Sequence, residues 1–445
     1  MSPTNFKAIV VGGGPVGLIA AHALTRANID FIVLESRPSI VIHVGASLAL
    51  SPMGLRVIGQ LGLLDALYQV STPLGQMERC DHNGNDLGIF HVFNYIKENH
   101  GDHSRVISRH DLTKTLYDGL PHESQARMLP NKKVSELAST PEGVVVHCAD
   151  GTSYEGSIII GADGAHSNVR QNMRLLAMEA GTPTNAEKPY LTTYRALWVR
   201  FPTELGLRPG QVHETHGEKL GLQCFAGNET AVLALYEQLP KPTRERSRYT
   251  KADEEAFAKR WEHLPIAKGV TVRQAYDAQL FTGITDLEEG VVEHWSWDRI
   301  VLAGDAAHKF TPSTGAGCNN GIADVVVLVN ELHKIMKSQD GGHKSVCTMP
   351  TINQIASAFR AYQEARHEPV TAGCKQSGGA TAMATWQNTP VKFLDKYIIS
   401  SQIVQKLLFD RAASNMAKSP VFDFIHGTEP MVGRVPWVQP IKPSA

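Results

Sequence analysis

The stretch from Phe6 to Glu35, FKAIVVGGGPVGLIAAHALTRANIDFIVLE, constrains the fold of this chain more than any other. Phe6–Val11 is a short, unbroken apolar run suited to a strand buried on both faces. Gly12, Gly14 and Gly17 follow in G-x-G-x-x-G spacing, and a helical stretch runs from Pro15 to about Ala27. Phe31–Leu34 is a second apolar strand that ends on Glu35. Gly12 permits the tight turn, Gly14 lets a pyrophosphate approach the backbone at the positive end of the helix, and Gly17 lets that helix pack close to the strand. Glu35 lies 18 residues past Gly17, where a carboxylate can accept hydrogen bonds from an adenosine ribose. The β-turn-α-β pattern predicts dinucleotide binding. On this stretch alone, NAD and FAD are both open.

Two later segments bear on that choice. GADGAHSNVR (Gly161–Arg170) follows the apolar strand Ser157–Ile160. A second strand begins at Val301, breaks at Gly304-Asp305, and gives way to a helix from about Asn319. Two strand ends thus deliver Asp-Gly or Gly-Asp elements far apart in the chain. A compact NAD unit does not need them. An extended FAD does, because its ribityl and isoalloxazine parts run beyond the first βαβ unit. No second G-x-G-x-x-G is present.

The set GxGxxG with Glu35, GADGxxSxVR, and GDAAHxxTPxxGxGxN resembles the single-component FAD-dependent monooxygenases of the aromatic-hydroxylase type, over about residues 6–335. Gly45–Leu67, Ser108–Leu112 and His308–Pro312 resemble the fungal epoxidases of indole-diterpene and meroterpenoid pathways. The resemblance implies noncovalent FAD, with NAD(P)H as a transient co-substrate. It implies that Glu35 holds the ribose, Ala49 lies beside the flavin, Arg109 reaches the pyrophosphate and Asp305 binds the ribityl hydroxyls. Gly317 and Cys318 would present backbone N–H groups to the flavin pyrimidine edge. The start of the helix there suits the negative charge of reduced flavin. Cys318 departs from the small residue usual in the family, and Ala306-Ala307 stand where Ser is often seen.

Read without the resemblance, Arg109 is a surface residue at a helix start and Asp305 caps a turn. Asp163 forms hydrogen bonds in its own turn, and His308 is as readily a packed loop residue as a functional one. Trp295 and Trp297 read as packing residues. The resemblance further implies an active-site arginine at Arg195, in the alternating strand Tyr190–Phe201, and puts His216 where the family has a tyrosine. A tyrosine hydroxyl stays a neutral donor at working pH, whereas a histidine titrates near 6.5. Arg195 and His216 are therefore expected to face the substrate cavity, with His216 able to act as acid or base near neutrality.

These readings predict an α/β protein with a Rossmann-like FAD-binding domain, an inserted β-rich substrate domain and a helical C-terminal tail. The expected spans are 1–178 and 291–340 for FAD binding, 179–290 for the substrate domain and 341–445 for the tail. Met77–Phe93 reads as a hairpin about Asn83-Gly84, Lys251–Leu264 as an amphipathic helix, and Gln339–Ser345 as a surface loop. Formal net charge is -1, without the basic bias of a nucleic-acid binder. No run of about 18 apolar residues predicts a membrane span. Six scattered cysteines form no CxxC pair, which argues against zinc or a disulfide framework and fits a reducing compartment. With no secretory signal pattern at the N-terminus, the expected location is cytoplasmic. The expected activity is hydroxylation or epoxidation of a small secondary metabolite (terpenoid, meroterpenoid, indole alkaloid or phenol) with NAD(P)H and O2. An FAD oxidase or dehydrogenase, and a non-redox flavin-binding cyclase or sensor, are the rivals. Substrate identity and oligomeric state stay open.

Overall fold

A computed structural model describes residues 6–42, 47–337 and 349–444. The expected loop Gln339–Ser345 lies outside these. The opening motif folds as strand β1 (Lys7–Val11), helix α1 (Pro15–Arg26) and strand β2 (Asp30–Leu34). β1 pairs in parallel with β2 on one side and with strand Ile158–Gly161 on the other. Strand Ile300–Leu302 continues the parallel sheet beyond Ile158–Gly161. The resulting six-stranded sheet brings three segments, separated by well over a hundred residues of chain, edge to edge. Ala8, Ile9 and Val10 are fully buried, as expected of strands covered on both faces.

The glycines set the spacing of these layers. Gly12 has φ +109°, and a Cβ there would lie 2.4 Å from the Ala162 carbonyl oxygen. A Cβ on Gly17 would lie 1.9 Å from the Gly12 carbonyl oxygen. Helix α1 therefore sits as close to its strand as a backbone without side chains allows, which brings its first turn to the carboxyl ends of the strands.

A second, eight-stranded sheet stands apart from the first. Its order is His308–Lys309, Phe281–Val291, Leu191–Pro202, Thr230–Thr243, Leu220–Ala226, Val212–His216, Met77–Asp81 and Asp86–Phe90. The hairpin read around Asn83-Gly84 is present. It joins this sheet by parallel pairing with Val212–His216. The sheet thus draws strands from both sides of the 179–290 span, because an edge strand is better paired than left open. One face of the sheet is an apolar core of Leu197, Val199, Leu222 and Leu235 under helices Lys251–Trp261 and Val272–Asp277. The other face carries Tyr194, Ala196, Tyr236 and Leu287.

Helix Ala316–Lys337 follows the second sheet's first edge strand, and helix Ile352–Ala384 packs along it. The C-terminal region is helical as far as Met416. Residues 417–444 form neither helix nor strand. They are pinned by polar anchors instead: Arg56 is buried against Glu429 (2.6 Å) and beneath the Trp437 ring (3.9 Å), and Gln60 donates to the Phe422 and Ile425 carbonyls.

Gly17→Ala is expected to destabilise the protein by about 1–3 kcal/mol, since the added methyl must force helix and strand apart. Gly379→Ala, in an open position of helix Ile352–Ala384, should instead stabilise by about 0.5–1 kcal/mol. Urea denaturation of the two variants beside the parent measures both, and equal midpoints would refute the close-packing argument.

Candidate cofactor site and the network beside it

The residues singled out from the opening motif meet at the carboxyl end of the first sheet. Glu35 is buried, and its Oε2 accepts from the Gly13 N–H at 2.7 Å. Its Oε1 accepts from the Arg37 N–H and the Ser36 hydroxyl. A carboxylate with about four lone-pair directions keeps room for one more donor. Gly14 caps helix α1, and a Cβ there would lie 3.4 Å from Arg109 Nη2. Arg109 starts a helix whose cap, Ser108, accepts from the Asp111 N–H. Its guanidinium is exposed and makes no side-chain hydrogen bond among the described residues.

The Asp305 end is built by a different set of contacts. Gly304–Ala306 is a single helical turn ending strand Ile300–Leu302. The Tyr190 hydroxyl donates to the Asp305 carbonyl (3.0 Å), and Arg170 donates to the Ala306 carbonyl (2.8 Å). These contacts hold the turn by its backbone and leave the Asp305 carboxylate without a partner among the described residues. That carboxylate lies 3.8 Å from where a Gly317 Cβ would be. Gly317 and Cys318 fall in the first turn of the 22-residue helix Ala316–Lys337. Ala49, on strand Ser47–Leu50, would touch a Cβ on Gly315 at 3.1 Å, and its carbonyl accepts from Asn319. Burial pushes the Cys318 thiol up to about 12, so Cys318 remains a thiol at neutral pH.

Glu35, Arg109, Asp305, Ala49, Gly317 and Cys318 thus lie along one path between the N-termini of two helices. Both termini present backbone N–H groups and a positive dipole end. Such a path suits an elongated, anionic ligand. Sequence reasoning left Asp163 aside as a turn residue. One of its buried oxygens has no hydrogen-bond partner among the described residues, and its Cα lies 3.0 Å from where a Gly12 Cβ would be. A buried oxygen of this kind is one that a ligand or water satisfies.

His308 proves to be a packed residue with a structural task. It is fully buried, with Nε2 at 2.5 Å from Asp324 Oδ2. The same carboxylate accepts from the Gly304 N–H and from Arg366 (2.9 Å). Trp295 and Trp297 pack as expected: Trp295 is buried against His308 and Tyr362, and Trp297 donates to Thr182. The loop after His308 is held by hydroxyls. Ser377 donates to the Thr311 carbonyl (2.6 Å), and Ser313 meets Thr381 (2.6 Å).

Arg195 and His216 do not share a cavity. Strand alternation puts Arg195 on the face covered by helix Lys251–Trp261, where it pairs with Glu237 at 2.5 Å and packs on Phe257. Arg260 and Trp261 donate to the other Glu237 oxygen. Arg195 is therefore a carboxylate-paired residue on the side of the sheet remote from His216. His216 is on the opposite face, but it is buried and both ring nitrogens are engaged. Nδ1 lies 2.8 Å from Asp395 and Nε2 3.0 Å from Glu214. Asp395 also accepts from Arg79 and Trp386, each at 2.8 Å. Gln223 joins Glu214 to the Ser313 carbonyl (3.1 Å), so this network braces the loop ahead of helix Ala316–Lys337. Burial alone would lower the His216 pKa, but the hydrogen bonds to Asp395 and Glu214 outweigh it and raise it to about 9. The expected acid-base switching near neutrality is thus corrected: His216 is a held imidazolium. The ordinary value assumed from sequence missed two carboxylates, one from 179 residues away in the chain.

A folded pKa of about 9 against about 6.5 unfolded means that this pairing stabilises fully below pH 6.5 or so. The contribution is lost as pH rises through 9. His216→Gln should therefore cost on the order of 2–3 kcal/mol more at pH 6.5 than at pH 10. Urea denaturation across that range checks it, and a pH-independent difference would refute the pairing.

The sequence of the chain matches the FAD binding domain family over residues 5–345. It is 35% identical over 379 residues to the FAD-dependent monooxygenase srdH of Neurospora crassa, spanning 82% of this chain and 83% of that protein. It is 32% identical over 372 residues to the FAD-dependent monooxygenase ausM of Penicillium brasilianum, spanning 82% and 76%. The fold is that of Klebsiella pneumoniae HpxO, crystallised with FAD and uric acid, at TM-score 0.71 and 21% identity over 92% of this chain and 96% of that one. A glycine turn, an acidic strand end and two helix N-termini on one path, in a chain with these relatives, make it a member of the FAD-dependent monooxygenases of the FAD binding domain family.

Proposed function

We propose that the chain holds FAD noncovalently along the path from Glu35 to helix Ala316–Lys337. With NAD(P)H and O2, it would place one oxygen atom in an apolar secondary metabolite. The observation that carries this reading is the pair Arg109 and Asp305. Neither side chain has a partner among the described residues, and both border one path between two helix N-termini. In this reading Glu35 accepts from the adenosine ribose, and Arg109 neutralises the pyrophosphate beside the first turn of α1. Asp305 accepts from the ribityl hydroxyls. The N–H groups of Gly317 and Cys318 stabilise negative charge at the ring edge. Ala49 is small where the ring needs space.

Bound FAD supplies the redox and oxygen chemistry, so no protein nucleophile is needed. The protein's share is to orient the ring and to keep water away from the reacting atoms. Tyr194, Ala196, Tyr236 and Leu287 form a buried apolar patch on the sheet face that also carries Gln223, which bonds the Ser313 carbonyl beside the flavin helix. That face suits an apolar substrate. The described cysteines are all free, in keeping with a cytoplasmic enzyme.

Arg109→Ala and Asp305→Ala should each weaken FAD binding by roughly ten- to a hundredfold, the worth of one hydrogen bond to a charged group. Lys375→Ala, an exposed change, should leave it unaltered. Flavin fluorescence titration of the stripped protein reads the difference, and three equal affinities would sink the assignment. The activity itself is tested with NADPH and isotopically labelled O2 on terpenoid, indole and phenolic substrates. The expected product carries one labelled oxygen atom, with the second in water. An unlabelled oxidised product formed with stoichiometric hydrogen peroxide would instead establish the oxidase reading.

A further inference from the structure

The segment 389–416 buries polar side chains while several large apolar ones face outward. It runs as a short helix (Thr389–Phe393), a π-helical turn (Leu394–Ile399) and a helix (Gln402–Met416). Its fully buried side chains include the polar Asp395 and Gln405. Asp395 is held by Arg79, His216 and Trp386. Gln405 donates to the Ile89 and Ile399 carbonyls and accepts from the His91 N–H. Large apolar side chains point outward: Phe393 is 58% exposed, Tyr397 66%, Ile403 74% and Leu407 67%. Seven of the fifteen large exposed hydrophobics among the described residues fall between Phe393 and Leu408. A surface helix ordinarily gains its place by burying its apolar stripe. This one is tied down by these polar contacts and by Phe409 packed on Phe90 and Tyr95, and it turns most of its other large apolar side chains outward, which marks a surface made to be covered.

The rim of the patch says what covers it. Lys392, Lys396, Lys406, Arg411 and Lys418 stand against only Asp395 and Asp410 in residues 389–418, in a chain of net charge -1. Three of the lysines pair with Glu218, Asp81 and Asp410. Arg411 and Lys418 have no acidic partner among the described residues and keep the rim positive. A second copy meeting this face by two-fold symmetry would bring two positive rims together. An anionic lipid surface meets both features, taking the apolar side chains between its headgroups and the basic ones against its charge. No described helix is long and apolar enough to cross a membrane, so the contact is peripheral. We infer that residues 389–418 form a docking face for an anionic lipid bilayer.

The test is vesicle co-sedimentation of the FAD-loaded protein, on phosphatidylcholine alone and with about one third phosphatidylserine. The protein should pellet with the anionic vesicles, and salt should weaken the binding. Ile403→Ser with Leu407→Ser should lower affinity by roughly tenfold or more, through lost burial of apolar surface. Arg411→Glu with Lys418→Glu should abolish the preference for anionic lipid. Flavin absorbance and the unfolding midpoint should match the parent in both variants. Two results overturn the inference: no binding to either vesicle, or binding that both double variants leave unchanged. A concentration-dependent dimer that becomes monomeric on Leu407→Ser, without vesicle binding, would assign the face to a second copy.

Discussion

The buried carboxylate of Asp324 is the point on which the architecture turns. It accepts from the Gly304 N–H, from His308 and from Arg366. Gly304 ends a strand of the first sheet, His308 pairs with the edge of the second, and Arg366 belongs to a C-terminal helix. One charged group thus joins both sheets and the helices behind them. Burial opposes its ionisation, but His308 and Arg366 hold its pKa below the usual carboxylate range. Removing one partner of so buried an arrangement leaves uncompensated charge, which costs far more than the arrangement itself contributes. The turn carrying Asp305 is therefore held rigidly by its backbone while its side chain stays available.

A second node has the same construction. Asp395 gathers Arg79, His216 and Trp386 from three parts of the chain. It fastens the C-terminal segment to the eight-stranded sheet. The line from His216 through Glu214 and Gln223 ends on the Ser313 carbonyl. The loop before helix Ala316–Lys337 is thus braced from the sheet on one side and by the hydroxyls of Ser377 and Thr381 on the other. Positioning of this loop is a matter of polar geometry as well as of apolar packing.

Much of this was legible in the amino-acid sequence because it rests on local rules. The strand, glycine turn, helix and acidic strand end of residues 7–35 follow from backbone sterics and short-range periodicity alone. So do the hairpin about Asn83-Gly84 and the turn at Gly304. The backbone needs at Gly12 and Gly17 are set within a few residues. His308 is legible in the sequence as a packed residue, but its partner Asp324 is not, since it lies beyond the motif, a full 16 residues on, and only the fold brings the two side chains together.

What the tertiary structure alone decided concerns which face a side chain takes and which distant groups it meets. Arg195 and His216 were grouped from sequence, yet strand alternation and the sheet's two coverings send them to opposite sides. An isolated histidine titrates near neutrality, and only the hydrogen bonds to Glu214 and the remote Asp395, outweighing burial, hold His216 as a cation. The outward turn of the large apolar side chains of residues 389–416 is likewise absent from the apolar pattern as such. Periodicity shows that a helix has two faces, whereas its tertiary partners decide which one turns inward, and here Arg79 and His216 draw Asp395 inward while Ile89 and His91 do the same for Gln405.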